Sequence, residues 1–446
     1  MEKDKKPNIL LIVVDSLRAD RITKEQRFAK IPNIMELAQK GTIFSQVIST
    51  SDVTGIGLGS LFSGSYPFET GITQTSIDNT KMSLFKILKE NGYKLFGTVP
   101  KFTIFEKTCQ NFDDVLVYDN RKWKEDETIL GKSGKNVLKF FQKNIGNYPW
   151  FHYIHLVDIH GVGKTAKINE EFDYEEFGET KYDKLLSTVD FWIKNIFKQI
   201  SMKETLIILT SDHGEYIGHD FRDMPKFYKI MRKLKKKFPK VQSIGEKIFV
   251  LVLTLNEKIK IKTQRINVEK QKGCIPRGYT KYLYDDVVKI PLIISGYKTP
   301  NGLEINNLVR QIDIYPTILK LVNIKINGSV TGRDIFLSME NNQNELPAYI
   351  ETGSTKPKTL GKTIGIRTST YKYFRNRIDS KSDVYLFNLI KDPNELKNIA
   401  SENPDIVNKY EKMLGKITKN SENIVEGEIS DEEKMIEDEL RKMGYL

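Results

Sequence analysis

The chain has 446 residues, 39% of them hydrophobic and 29% charged, the balance of a folded globular protein; a disordered or fibrous chain is excluded. Two cysteines far apart, Cys109 and Cys274, exclude a disulfide framework and fit a reducing compartment. The net charge of +12 is local, because residues 221–272 hold 16 Lys/Arg against 4 Asp/Glu and the remainder is neutral.

Ile9–Val14 is a short apolar run that leads straight into Asp15 without a small-residue cleavage site. It predicts a first core strand, not a signal peptide, and with it a cytoplasmic location. No apolar window reaches the length of a membrane span. Further strands are predicted at Lys94–Val99, His152–Val157, Leu206–Leu209 and Leu292–Ile294. Helical spacing lies between them, at Ile34–Lys40, Leu84–Asn91 and Tyr182–Gln199. In the last of these, Leu185, Val189, Ile193, Ile196 and Phe197 share one face. Strand–helix alternation predicts an α/β fold with a mainly parallel sheet. After about Leu346 the pattern changes to short strands (Ala348–Ile350, Thr363–Arg367, Lys372–Phe374, Val384–Asn388) and two helices. The last helix starts at Ser430 with Glu433 three residues on, a capping-box pattern. The expected organisation is a catalytic α/β domain over 1–345, carrying a basic insertion at 221–272, and a smaller α+β subdomain over 346–446.

Three of the predicted strands end alike. Asp15 closes the first, Asp158 and His160 follow the third, and Asp212 and His213 follow the fourth. All five histidines lie in two stretches, FHYIHLVDIH (His152, His155, His160) and SDHGEYIGHD (His213, His219). Open parallel sheets place ligands at the carboxyl ends of their strands. Carboxylates and imidazoles gathered there predict a metal site. The ordinary alternative for Asp15 and Asp212 is a strand-end Asp capping the next helix. His152 and His155, inside a strand, read as structural or as supports for the ligands.

From end to end these segments resemble the sulfatase-like branch of the alkaline phosphatase superfamily. PNILLIVVDSLRAD is similar to that family's first strand and first metal-binding Asp, and SDVTGIGLGSLFSGSYPFETG to its nucleophile loop. HLVDIHG and LTSDHGEYIGH are similar to its later site motifs. LYDDVVKIPLIISG, QIDIYPTILKLV and YLFNLIKDPNELKNIA are similar to its downstream and C-terminal ones. The implied fold is alkaline-phosphatase-like, a mainly parallel sheet flanked by helices. In the family's sulfatases the loop carries Cys-x-Pro-Ser-Arg, and the Cys is oxidised to formylglycine. Counting back ten residues from the matching Gly64 gives Thr54; no Cys is near, and Leu58 takes the place of the Arg. Loops with Thr occur in the superfamily's phosphodiesterases, phosphomutases and phosphoethanolamine or phosphoglycerol transferases. Ser49, Thr50 and Ser51 are neighbouring hydroxyls, and an ordinary loop Thr is the alternative for Thr54.

The resemblance implies Asp15, Thr54, Asp212 and His213 as a metal shell. Imidazole beside carboxylates favours Zn²⁺ or Mn²⁺ over Ca²⁺, and Ser16 stands where sulfatases have a second Asp. Thr54 is the implied nucleophile: a hydroxyl is weak at neutral pH, and an adjacent divalent cation favours its ionisation. Attack on phosphorus would leave a covalent phospho-threonine, resolved by water or by an acceptor hydroxyl. His160, after Ile159 in place of the family's Pro, is implied to bind the transferred group or to protonate the leaving oxygen. His219 is assigned the same role or a second metal. Lys101, one residue off the family's Gly-Lys motif, and Lys281, just before LYDD, are assigned to substrate oxygens, with solvated lysines as the alternative.

In the basic insertion, Phe227, Met231, Leu234 and Phe238 are spaced for one helix face among lysines, and an apolar stretch follows at Ile248–Leu255. Such a segment can lie on an anionic membrane or attract an anionic substrate, or be a solvated hairpin. Nucleic acid is not expected, because no nucleic-acid module accompanies the charge. The function read from the sequence is metal-dependent hydrolysis of a phosphoester or phosphonoester, or transfer of a phospho-alcohol to a glycan or lipid-linked acceptor, at the inner face of the membrane. The alternatives are a sulfuric ester hydrolase and a catalytically silent binding subunit.

Overall fold

The computed structural model describes residues 5–23, 28–118, 129–160, 168–217, 281–326, 328–340, 344–354, 361–419 and 431–443. Residues 1–215 with 277–446 make one compact unit, which holds the strands and helices named here. His219, Ser430 and the basic segment 221–272 lie outside the described residues.

Among the described residues nine strands form one sheet: β1 (Asn8–Val14), β2 (Gly41–Ile48), β3 (Lys94–Pro100), β4 (Asp114–Tyr118), β5 (Trp150–Leu156), β6 (Thr205–Thr210), β7 (Lys289–Gly296), β8 (Leu303–Ile305) and β9 (Val309–Arg310). The order is β4-β3-β5-β1-β6-β7-β2-β8, with β9 also beside β2. The pairs are parallel except that β7 runs antiparallel to both β6 and β2. The expected mainly parallel sheet is therefore present, with one reversed strand. An apolar run covered on both faces reads the same in either direction, so the sequence does not announce the reversal.

The middle of the sheet is β5-β1-β6. Nearly every residue of these three strands is buried, as expected for strands covered on both faces. Val14 lies beside Leu156 and Val13 beside Thr210. Three parallel strands in this register end at one level, so the segments that follow them converge.

Helices flank the sheet: α1 (Pro32–Gln39), α2 (Thr54–Ser63), α3 (Ser83–Glu90), α4 (Lys132–Asn144), α5 (Lys181–Phe197) and α6 (Ile314–Leu321). Helix α5 starts on a capping box: Asp183 N–H donates to Thr180 Oγ1 at 3.2 Å and Thr180 N–H to Asp183 Oδ2 at 3.0 Å. Of its apolar stripe, Leu185, Val189, Ile193 and Ile196 are buried as the spacing predicts, and Phe197, at the end of the helix, is half-buried. No helix among the described residues is long and apolar enough to cross a membrane.

A second, antiparallel sheet is built from β10 (Ala348–Glu351), β11 (Thr363–Arg367), β12 (Tyr371–Asn376) and β13 (Tyr385–Asn388) in that order. Tyr349, Ile366, Tyr373 and Leu386 from it pack with Tyr410 and Leu414 of α7 (Pro404–Thr418). The end of β10 reaches the segment before α2: Glu351 N–H donates to Thr50 O at 2.8 Å and Gly353 N–H to Asp52 Oδ1 at 2.7 Å.

Candidate active site

β1 delivers Asp15, fully buried, with its N–H donating to Leu156 O at 2.8 Å. Ser16 then turns the chain at φ 68°, a left-handed conformation unusual for a residue with a side chain. Two contacts hold that turn: Ser16 N–H donates to Asp212 Oδ1 at 3.2 Å, and the Tyr182 hydroxyl of α5 donates to Ser16 O at 2.7 Å. Ser211 ties β6 to β1 by donating to Val14 O at 2.7 Å. The loops after the two strands are therefore one hydrogen-bonded unit.

After β6, Asp212 and His213 are both fully buried. His213 Nδ1 lies 2.8 Å from the Gly214 carbonyl oxygen. A carbonyl only accepts, so Nδ1 carries the proton and the Nε2 lone pair points the other way. That nitrogen is 3.2 Å from Thr54 Oγ1, 3.4 Å from Asp212 Oδ2 and 4.0 Å from Asp15 Oδ1. The four residues expected as a metal shell are thus brought together.

Thr54 is the first residue of α2, behind an extended Val53. A helix N-terminus concentrates unpaired N–H dipoles, so negative charge on Oγ1 or on a group bound beside it is stabilised there. The glycines that make this stretch a poor helix by propensity let it sit close against Gln74, Asp212 and Ile72. A Cβ on Gly57 would stand 2.5 Å from Asp212 O. Gly57→Ala is expected to push α2 off the Asp212 loop, lowering stability by about 1–3 kcal/mol and activity further, as a urea titration beside a rate assay would show.

Of the neighbouring hydroxyls, Ser49 is committed, donating to the Asp212 carbonyl at 2.6 Å. Leu58, where the resemblance has Arg, is fully buried in the main apolar core.

His160 turns Nδ1 toward Asp15 Oδ1 at 3.0 Å and Ser16 Oγ at 2.9 Å, while Ser16 Oγ donates to the same Asp15 oxygen at 2.5 Å. Nδ1 is thereby the proton-bearing nitrogen against Asp15. Burial works against the Asp15 charge, yet the interaction with His160 foremost outweighs it and holds the carboxyl well below the usual carboxylate range. Asp158 is the reverse case: burial raises its carboxyl to about 6, against hydrogen bonds from the Ile129 N–H and its own backbone N–H.

His155 is the residue that sequence reasoning undervalued. Its Nε2 faces Asp15 Oδ2 at 3.5 Å, and its Nδ1 lies 2.7 Å from the Tyr153 hydroxyl. Asp15, His155 and Asp212 each offer one ligand atom, all within 4.8 Å of one another, and could together hold a metal ion. His155 Nε2 and Asp212 Oδ2 are buried yet make no hydrogen bond. The available signal was position: His155 is one residue from the end of β5, at the level where Asp15 leaves β1. His152, by contrast, is packed among Phe96, Phe140 and Phe141 with Nε2 on Thr98 Oγ1 at 2.9 Å, and burial lowers its pKa to about 3.

The two lysines lie apart from these contacts. Lys101 is exposed and makes no ion pair with a described residue. Lys281 Nζ pairs with Asp383 Oδ1 at 2.7 Å.

The chain matches the Sulfatase family model over residues 7–324, and the model "N-sulphoglucosamine sulphohydrolase, C-terminal" over residues 279–423. It is 27% identical over 213 residues to an uncharacterized protein of Haemophilus influenzae, an overlap of 47% of this chain but only 32% of that protein. It is 20% identical over 457 residues to arylsulfatase K of Mus musculus, covering 94% of this chain and 80% of the relative. The fold superposes on the phosphonate monoester hydrolase of Agrobacterium radiobacter with a TM-score of 0.66 at 15% identity, over 93% of this chain and 96% of that one. It also superposes on a Bacteroides thetaiotaomicron protein from a locus for metabolism of multiple glycosaminoglycans, with a TM-score of 0.66 at 16% identity, over 94% and 97% of the two chains. At these identities the two structures share the fold alone.

Proposed function

The chain belongs to the sulfatase family of metal-dependent hydrolases, and within it we propose an enzyme that cleaves a phosphoester or phosphonoester, or transfers a phospho-alcohol, with Thr54 as the nucleophile. The observation that carries this reading is Thr54 Oγ1 at the start of α2, 3.2 Å from the Nε2 lone pair of His213. The chain holds only two cysteines, and the described one, Cys109, is buried, with burial raising its thiol well above the ordinary value. A formylglycine derived from Cys at position 54 is thus not available.

Two buried carboxylates beside a hydroxyl disfavour its ionisation, and the unbonded Asp212 Oδ2 calls for a positive partner. Asp15, Thr54, Asp212 and His213 would hold a divalent cation there. Mixed carboxylate, hydroxyl and imidazole donors suit Zn²⁺ or Mn²⁺ better than Ca²⁺. When bound, such a cation stabilises an ionised hydroxyl and the charge of the transferred group.

The residues then divide the work. Thr54, ionised with its proton passed to solvent, attacks phosphorus through Oγ1, the bond to the leaving oxygen breaks, and His160, oriented by Asp15 and Ser16, donates the proton that oxygen needs. Water or an acceptor hydroxyl, giving its proton back to His160, next attacks the phospho-threonine and frees Thr54. His160→Gln is expected to lower kcat/KM by about 10²-fold for alkyl esters and far less for nitrophenyl esters, whose leaving oxygen needs no proton. An equal loss on both would remove His160 from the acid role.

Arylsulfatase K among the relatives favours sulfuric ester hydrolysis as the second reading. The test is intact-protein mass and product release after incubation with Mn²⁺ or Zn²⁺ and nitrophenyl phosphate mono- and diesters, a phosphonate ester and a sulfate ester. A phosphorus adduct on Thr54 is the expected result. Turnover of the sulfate ester alone selects the second reading, and silence with no bound metal selects a binding subunit.

We further propose residues 346–446 as a smaller C-terminal α+β subdomain, and residues 221–272 as the contact to an anionic, lipid-linked or glycan substrate at the inner membrane face. Lys281, Lys101 and His219 belong to this proposal as substrate-binding groups.

A further inference from the structure

We infer that His155 is itself a ligand of the metal, held in place by Tyr153, so that the centre carries two imidazoles and two carboxylates from three adjacent strands. The inference rests on the metal reading above and adds to it two residues of β5.

A protonated His155 paired with Asp15 would close to about 2.7–2.9 Å, the length of a charge-assisted hydrogen bond. The nitrogen and oxygen stand at 3.5 Å instead, with no hydrogen bond to either Asp15 or any other described residue. Two donors each about 2.0–2.1 Å from one ion and meeting at a tetrahedral angle stand about 3.4 Å apart. The His155–Asp15 separation of 3.5 Å and the His213–Asp212 separation of 3.4 Å both have that spacing.

Asp15 is shared between two roles. Its Oδ1 is the oxygen bonded by Ser16 and His160, and its Oδ2 is the oxygen His155 faces. One carboxylate therefore serves the acid through one oxygen and the metal through the other.

Metal-bound imidazoles almost always donate their second N–H to a fixed acceptor. Tyr153 lies two residues before His155 on the same face of β5, fully buried, with its hydroxyl oxygen 2.7 Å from Nδ1. With Nδ1–H donated to that oxygen, the Nε2 lone pair points at the carboxylates. His152 is the internal contrast. It also has an unbonded ring nitrogen, but its ring lies among phenylalanines and no carboxylate is paired with it.

The test is Co²⁺ binding to metal-stripped full-length protein, read as visible absorption and as dissociation constant. His155→Gln is expected to weaken binding by about 100-fold or more and to change the absorption spectrum. Tyr153→Phe is expected to weaken it by about 10-fold, the loss typical of an outer partner. Wild-type affinity with an unchanged spectrum in His155→Gln, or in Tyr153→Phe should the former not fold, overturns the inference. Asp212→Asn separates the two levels: if it loses Co²⁺ while His155→Gln keeps it, the metal centre stands and His155 falls. Failure of the wild-type protein to bind Co²⁺ overturns both.

Discussion

Thr54→Ala is expected to abolish the covalent adduct and to lower kcat on phosphorus esters by on the order of 10⁴–10⁶-fold, the scale seen when an enzyme loses its nucleophile. The loss comes from chemistry, because the substitution removes only a hydroxyl and a methyl group from the first residue of a helix. That helix keeps its glycine contacts to the Asp212 loop and its bond from Gly55 N–H to Gln74 Oε1 at 2.7 Å. The thermal midpoint should therefore stay close to that of the wild type. Thr54→Ser keeps the oxygen but frees its rotamer, since Thr is stiff about χ1 and Ser is not. A misplaced nucleophile should lower the rate by about 10- to 100-fold while the adduct still forms. Single-turnover kinetics with intact-mass detection separates the two variants. Activity that survives Thr54→Ala would move the nucleophile elsewhere, and Ser49 would not inherit the role, because its hydroxyl already serves the Asp212 carbonyl.

The parts of this site that were legible in the sequence are those written as continuous apolar runs ending in an acid or an imidazole. β1, β5 and β6 are buried on both faces, so their runs are unbroken, and the residues after them had to leave the sheet at one level. What was not legible depends on partners distant in sequence. β2, with Ser45 and Gln46 inside it, and β4, only partly buried at the sheet edge, lack the unbroken pattern. The direction of β7 is set by its neighbours and leaves no trace in KIPLIISG. Helix α2 is hidden by Gly55, Gly57 and Gly59, which oppose helix in isolation and are selected here by close approach to Gln74, Asp212 and Ile72. His155 lies in a strand, where an imidazole is ordinarily structural. Its different role follows only from register, which sets it one residue below the point where Asp15 leaves the neighbouring strand.

Lys372→Met is expected to destabilise the fold by about 3–5 kcal/mol, since it takes this cation from the buried Glu395 carboxylate and leaves Asp285 with one fewer. Lys372 sits on β12 with no exposed surface, 2.5 Å from Asp285 Oδ1 and 2.7 Å from Glu395 Oε1. Arg367 is a second cation on Asp285, at 3.2 Å. The large effect follows from burial; exposed pairs such as Lys40–Glu36 contribute little. Burial works against the Asp285 charge, but Lys372, Arg367 and Lys289 outweigh it and hold the carboxyl well below its ordinary 3.8. A carboxyl depressed in the folded state contributes stability that is present in full above 3.8 and is lost as pH falls through that value toward the folded pKa. Urea titrations of wild type and Lys372→Met should therefore differ most at neutral pH and approach one another below pH 3.8. A constant difference across that range would place the effect in packing alone. The consequence reaches the active site, because the backbone beside Asp285 holds the loop that orients His213. Gly214 N–H donates to Val287 O at 2.8 Å and Glu215 N–H to Asp286 O at 3.0 Å, and Gly214 O is the acceptor that fixes the His213 ring. At temperatures where the variant is still folded, its metal affinity should fall along with its stability.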